Sequence, residues 1–277
     1  MFKKLNRLPL VLFASVVVSA CQTTDTLKTS LTATDKGYFS VPTTMPWQGQ
    51  KRNIGGELTF PEQAAGQKVP FVVIAHSADG INYAENWWKT LWLKEGYAVF
   101  MLDYWAPRGV APGSARAPRS GTDVIDALEV LNTHPGLDPT RYAIQGLSNG
   151  SMVAASAMSM FKSRRMTNQP RAYLLNYGGC SQLAYVTTPA KEPAYRFYIG
   201  AGDAPASPRS CQEIYDNWSK QGVNVKAFIF PDVYHGFDGN VSKTVSYRGS
   251  QFTIRPNSKA TNTSAEDAKE TLRTAFN

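Results

Sequence analysis

Cysteine and histidine are scarce in this chain, with three of each among 277 residues. So few cysteines exclude a disulfide-stapled miniprotein, and three scattered histidines show no metal-ligand spacing, so no metal centre or other cofactor is expected. Charge is sparse too, at 18% of residues. The formal net charge is +8, but Lys3, Lys4 and Arg7 crowd one end and the remaining cations form no runs. A charge that diffuse reads as solvated surface and excludes nucleic acid as the expected partner. The chain has no internal repeat and no low-complexity stretch. Its main apolar stretch near the start, residues 8–20, has 13 residues and is short for a bilayer span. What remains is 43% hydrophobic with 21 Gly and 17 Pro. That is neither disordered nor collagen-like, and its length suits one large α/β domain.

The first twenty residues read as an export signal. A basic head is followed by the apolar run LPLVLFASVVVSA, ending in small residues and free of acids. A buried N-terminal helix is the bland alternative. Val18-Ser19-Ala20-Cys21 resembles the lipobox of bacterial lipoproteins, in which the Cys is lipidated and becomes the mature N-terminus. The same residues also pass as a plain cleavage site that would release a soluble periplasmic or secreted protein. Three Cys leave one over after any pairing, and Cys21 is the natural odd one. Gln22 in place of Asp resembles lipoproteins sent to the outer membrane. Residues 21–37 are polar and Thr-rich and read as a flexible, lipid-anchored tether before a catalytic domain at 38–277.

From there short apolar runs alternate with helical patterns. Strands are expected at 54–60, 69–75, 97–102, 141–145, 172–177, 195–200 and 223–230, most of them apolar on both faces. Between them, Trp87, Trp88, Leu91 and Trp92 share one helix face, with Gly96 as the stop. Val124, Leu128 and Leu131 recur at helical spacing, and His134 follows as a helix-terminus residue placed to meet the dipole. Near the end, residues 264–267 fit a capping-box variant, with Ala268, Leu272, Ala275 and Phe276 on one face. This alternation predicts a mostly parallel sheet with helices on both faces, whose ligands bind beyond the carboxyl ends of the strands.

Gly146-Leu147-Ser148-Asn149-Gly150 matches G-x-S-x-G between a strand and a small-residue helix, the context that turns the pentapeptide into a nucleophile elbow. A Gly-rich turn before a core helix is the bland reading. A serine nucleophile needs a base. In the chain order Ser, acid, His, only His235 follows Ser148. Asp203, just after the strand 195–200, is the expected acid and Asp232 the reserve. The amide of Asn149 is one expected oxyanion donor. The loop 76–80 supplies the other, from Ala78 in preference to Ser77. His76 is expected to shape that loop.

The segments VVIAHSADG, GYAVFMLDYWAPRGV, DPTRYAIQGLSNG, FYIGAGD and PDVYHGFD resemble the dienelactone hydrolase family of the α/β-hydrolase superfamily. The resemblance runs from about residue 54 to the last helix and implies the α/β-hydrolase fold with a Ser148–His235–Asp203 triad. Two departures bear on activity. The family's name-giving members use Cys as nucleophile and place a Glu where this chain has Ser77, so a serine esterase is implied instead. Exported members similarly carry paired cysteines at the places of Cys180 and Cys211, which implies a disulfide in an oxidising compartment, two separate thiols being the alternative. Ser77, Tyr104, Trp105, Arg108, Tyr177 and Tyr234 are candidates to line a pocket for a small-molecule or glycan ester, Arg108 by meeting a substrate carboxylate. A serine peptidase and a non-catalytic envelope lipoprotein are the rival functions.

Overall fold

A computed structural model describes residues 26–277 apart from 65, 115–116, 185, 187–188 and 248–249. The expected signal peptide and the lipidation site Cys21 lie outside the described residues. Among the described residues, an eight-stranded sheet runs in the order β1-β2-β4-β3-β5-β6-β7-β8. Its central strands are β3 (Val69–Ala75), β4 (Ala98–Asp103), β5 (Leu137–Leu147), β6 (Ala172–Asn176) and β7 (Ala194–Gly200). With β8 (Val225–Phe230) at one edge they are all parallel. β1 (Gly37–Val41) and β2 (Ile54–Thr59) close the other edge antiparallel. This is the mostly parallel sheet that the alternating pattern predicts.

The central strands are apolar on both faces because helices cover both. On one face, α1 (Tyr83–Lys94) and α7 (Ser258–Phe276) bury Trp88, Trp92, Ala268 and Leu272. On the other, α2 (Gly121–Leu131), α3 (Asn149–Met158) and α6 (Pro208–Lys220) bury Val124, Leu128, Val153 and Trp218, with the short helices α4 (Met160–Ser163) and α5 (Cys180–Leu183) beside them. Each fully buried aromatic or large aliphatic side chain contributes about 1.5–3 kcal/mol relative to exposure. Gly96 follows α1 with φ +85°, the left-handed conformation that ends the helix. Cys180 in α5 and Cys211 in α6 form a disulfide that closes a loop of 31 residues.

Four departures from expectation stand out. The flexible tether does not extend to residue 37. Leu27 pairs with Ser40, Leu31 is buried, and its amide donates to Thr133 Oγ1 at 2.8 Å. A single apolar anchor in a Thr-rich stretch has no period, so nothing in the sequence marks it as packed. His134 belongs to the same contact: its Nε2–H donates to the Asp35 carbonyl at 3.1 Å, while Nδ1 accepts from the Gly136 amide. Burial lowers its pKa, so it packs as a neutral ring and is not a cation against the α2 dipole. Helix α7 begins at Ser258, six residues before the expected capping box, because Asn257 accepts the Ala260 amide and serves as the N-cap. Finally, a hairpin of β9 (Lys243–Tyr247) and β10 (Ser250–Ile254), which the strand pattern does not show, rises between β8 and α7.

Candidate active site

Three parallel strands deliver three side chains to one rim. Ser148 lies between β5 and α3 with φ 52° and ψ −109°, a strained conformation for a residue bearing a Cβ. The turn is tight enough that a Cβ on Gly146 would lie 2.4 Å from the Gly150 backbone, and one on Gly150 would lie 1.9 Å from the Ala75 carbonyl oxygen. The Ser148 amide donates to the Asn176 carbonyl at 2.9 Å, tying the elbow to the end of β6. Asp203 follows β7 and His235 follows β8.

Ser148 Oγ is 2.8 Å from His235 Nε2, and His235 Nδ1 is 3.0 and 2.9 Å from the two oxygens of Asp203. Because a carboxylate only accepts, Nδ1 carries the hydrogen and Nε2 faces the hydroxyl as an acceptor. Asp203 is buried and also accepts the Ala206 amide at 3.0 Å, which fixes its rotamer. The reserve acid Asp232 is exposed and is not the carboxylate that meets His235. Tyr177 and Phe252 set their rings edge-on to the imidazole, with centroids at 4.9 and 5.3 Å. This arrangement can take a proton from the serine hydroxyl and stabilise the imidazolium that results.

The loop after β3 is held by an acid that the sequence reading overlooked. Glu85, buried in the first turn of α1, accepts the Ser77 amide at 2.8 Å and the Asn82 amide at 3.0 Å. Burial raises its pKa, and these bonds oppose the shift. The Ser77 amide is therefore occupied, whereas no such bond holds the Ala78 amide among the described residues. Asn82-x-x-Glu85 is a capping box with Asn at its head, so its signal was present in the sequence. His76 shapes the loop as expected: Nδ1–H donates to the Ser77 carbonyl at 2.7 Å, and the ring stacks on Tyr104 at 4.1 Å. Burial lowers its pKa and leaves it neutral. The Asn149 side chain donates to the Tyr104 hydroxyl at 2.8 Å, linking the elbow to the same loop.

Above Ser148 and His235 lies a cavity of about 530 Å³. Of the expected pocket residues, Ser77 and Tyr177 line it. Trp105, Arg108, Tyr104 and Tyr234 are not among the residues that do. Arg108 is committed elsewhere, with both its terminal nitrogens on Asp123 at 2.6 and 2.8 Å and the side chains of the pair fully buried. A guanidinium so paired cannot meet a substrate carboxylate. Trp105 is a core residue whose indole donates to the Pro118 carbonyl, Tyr104 lies buried under His76, and Tyr234 stacks beneath Arg255. The hairpin supplies Val245, Phe252 and Ile254 to the cavity instead, and Lys243 reaches across to Asp79 at 2.8 Å. At the cavity floor the buried Asp238 accepts bonds from Trp88 Nε1 at 2.8 Å, Asn176 Nδ2 at 3.2 Å and the Tyr177 hydroxyl at 2.7 Å. Burial raises its pKa against those three donors.

Sheet order, elbow and cavity together define an α/β-hydrolase. The profile of the dienelactone hydrolase family matches residues 54–276, and the chain belongs to that family and is a hydrolase. Solved structures of the same fold include a dienelactone hydrolase-like promiscuous phosphotriesterase from metagenomic libraries, at 14% identity and TM-score 0.63, covering 87% of this chain and 98% of that one. A bacterial heroin esterase has 15% identity and TM-score 0.60, covering 88% of this chain and 84% of the other. Carboxyl esterase 2 of the mycorrhizal fungus Tuber melanosporum has 16% identity and TM-score 0.59, covering 91% of each chain. No curated protein matches the sequence.

Proposed function

We propose that this chain is a serine hydrolase that cleaves a carboxylic ester through an acyl-enzyme on Ser148. The continuous hydrogen-bonded path from Ser148 Oγ through His235 to Asp203 carries this reading. His235 Nε2 takes the hydroxyl proton as Oγ attacks the ester carbonyl. Asp203 holds the tautomer and stabilises the imidazolium without itself being protonated. The oxyanion forms against the amides of Asn149, at the positive end of α3, and of Ala78. The imidazolium then gives its proton to the departing alkoxide. A water deprotonated by the same ring attacks the acyl-enzyme, and the carboxylate product leaves with the hydroxyl restored. Export is part of the proposal, with the chain lipid-anchored at Cys21. The leader sequence supports it, and so does the Cys180–Cys211 disulfide, which belongs to an oxidising compartment.

A fluorophosphonate probe tests the nucleophile. Wild type is labelled and Ser148→Ala is spared, and Ser148→Ala also loses turnover of 4-nitrophenyl acetate. Failure of the folded wild type to label or to hydrolyse any ester would overturn the reading in favour of a binding module. Hydrolysis of peptide amides in preference to esters would redirect it to a peptidase.

A further inference from the structure

The described residues include few large hydrophobics left exposed, and two of them stand at one mouth. Tyr83 is 49% exposed and Val241 54%, and both line the cavity over Ser148, while Ile81, at 38%, is two residues from Tyr83. Apolar surface concentrated beside a cavity marks a place where something binds. Tyr83 is the one lining residue that this cavity shares with a neighbouring hollow. Tyr83 also begins a second, shallower hollow of about 430 Å³ along α1, lined further by Asn86, Trp87, Thr90, Leu91 and Lys94. Tyr83, Trp87 and Leu91 are spaced four apart and form one stripe on the helix. From Tyr83 to Leu91 the helix rises about 12 Å, the reach of a short oligosaccharide. The Trp87 ring is braced edge-on by the fully buried Trp88, with centroids at 5.1 Å, so it forms a fixed platform.

The lining decides between occupants. An acyl chain would be matched by aliphatic walls, but only Leu91 here is aliphatic. The flanks carry the Lys94 ammonium and the oxygens of Asn86 and Thr90, which can still accept although the Asn86 amide and the Thr90 hydroxyl donate to the Asn82 and Asn86 carbonyls. Aromatic faces alternating with such groups match a sugar ring, whose C–H face stacks while its hydroxyls hydrogen-bond to the flanks. We infer that the α1 groove is a glycan subsite continuous with the catalytic cavity, and that the ester cleaved at Ser148 is borne on an oligosaccharide whose further rings lie over Tyr83 and Trp87. The inference rests on the serine-esterase reading and gives it a substrate class.

The test compares acetylated β-linked oligosaccharides of increasing length with 4-nitrophenyl acetate. In wild type, kcat/KM rises with the number of rings. Trp87→Ala lowers kcat/KM on the longer esters about tenfold relative to its effect on 4-nitrophenyl acetate, the loss expected for one well-packed aromatic contact. Trp87→Leu, which keeps an apolar body against the core while removing the flat ring, gives the same selective loss if the stacking surface is what matters. Calorimetry with unesterified oligosaccharide and Ser148→Ala detects binding without turnover, and Trp87→Leu on that background weakens it. Rates indifferent to ring number, or rising with acyl-chain length instead, overturn the glycan subsite while leaving the esterase intact. Absence of hydrolysis of every ester, including 4-nitrophenyl acetate, overturns the catalytic reading itself.

Discussion

Adding one methyl group at Gly150 should separate the contribution of elbow geometry from that of the proposed Ser148–His235–Asp203 triad. A Cβ there would lie 1.9 Å from the Ala75 oxygen, 2.5 Å from the Ala75 carbon and 2.8 Å from the His76 oxygen. The first distance is roughly 1.5 Å short of ordinary van der Waals contact. Every obstructing atom is backbone, so no rotamer change relieves the clash. Ala75 is paired with both Leu102 and Gly146, which keeps the end of β3 from moving alone. Either α3 lifts off the sheet, or the loop after β3 shifts and takes the Ala78 amide with it. Overpacking of this kind costs about 1–3 kcal/mol and occasionally more. In the folded fraction, a displacement near 1 Å between Ser148 and its oxyanion donor lowers kcat by roughly 10²-fold. Urea unfolding followed by tryptophan fluorescence reads the first effect, and 4-nitrophenyl acetate turnover at low urea reads the second. Gly96→Ala is the control: its φ of +85° strains an alanine, but nothing lies within 4 Å of the added carbon, so stability falls about 1 kcal/mol with kcat unchanged. A Gly150→Ala protein with wild-type unfolding midpoint and wild-type kcat would refute the account of the elbow.

Arg108→Met leaves Asp123 buried without its partner and should cost about 3–5 kcal/mol in denaturant unfolding. The ratio of activities on anionic and neutral esters should not change, and a selective loss on anionic esters would return Arg108 to the pocket. Reducing the Cys180–Cys211 bridge, or replacing both residues with Ala, removes a constraint on a 31-residue loop. The chain-entropy model gives a loss of about 3.5–4 kcal/mol, read as a lowered melting temperature, and an unshifted melt would contradict it. Asp35 is held down to about 2, chiefly by its hydrogen bond from Lys28. Since its folded pKa lies below the unfolded value, its stabilisation is present above about pH 4 and is lost as pH falls through about 2. Protection of the Leu31 amide, taken relative to the intrinsic exchange rate at each pH, should fall in that window before the central strands open, and Asp35→Asn should remove that fall.

The sequence alone was enough for whatever depends on local pattern. Strands buried on both faces are mostly apolar, so β3 and β7 could be bounded nearly to the residue despite the buried Arg196 in β7. The elbow was legible because only glycine fits two positions either side of Ser148, and His235 because a chain with three histidines leaves one after the serine. Local pattern failed where burial is achieved by pairing at a distance. Arg108 and Tyr104 sit just past a strand end, where ligand-binding residues belong, yet Asp123 and His76 fold over them and keep them from the cavity. Leu31 is one buried apolar residue in a Thr-rich stretch, and a contact with Thr133, just past α2, has no periodicity to announce it. Glu85, Asp238 and the β9–β10 hairpin complete the site from segments whose composition is ordinary. Chain order and residue type named the candidate groups that the structure brings within hydrogen-bond distance of one another. Which amide stays open, which cation is paired away from the cavity and what roofs it depended on three-dimensional packing, because hydrogen bonds and charges find partners in space without regard to their separation along the chain.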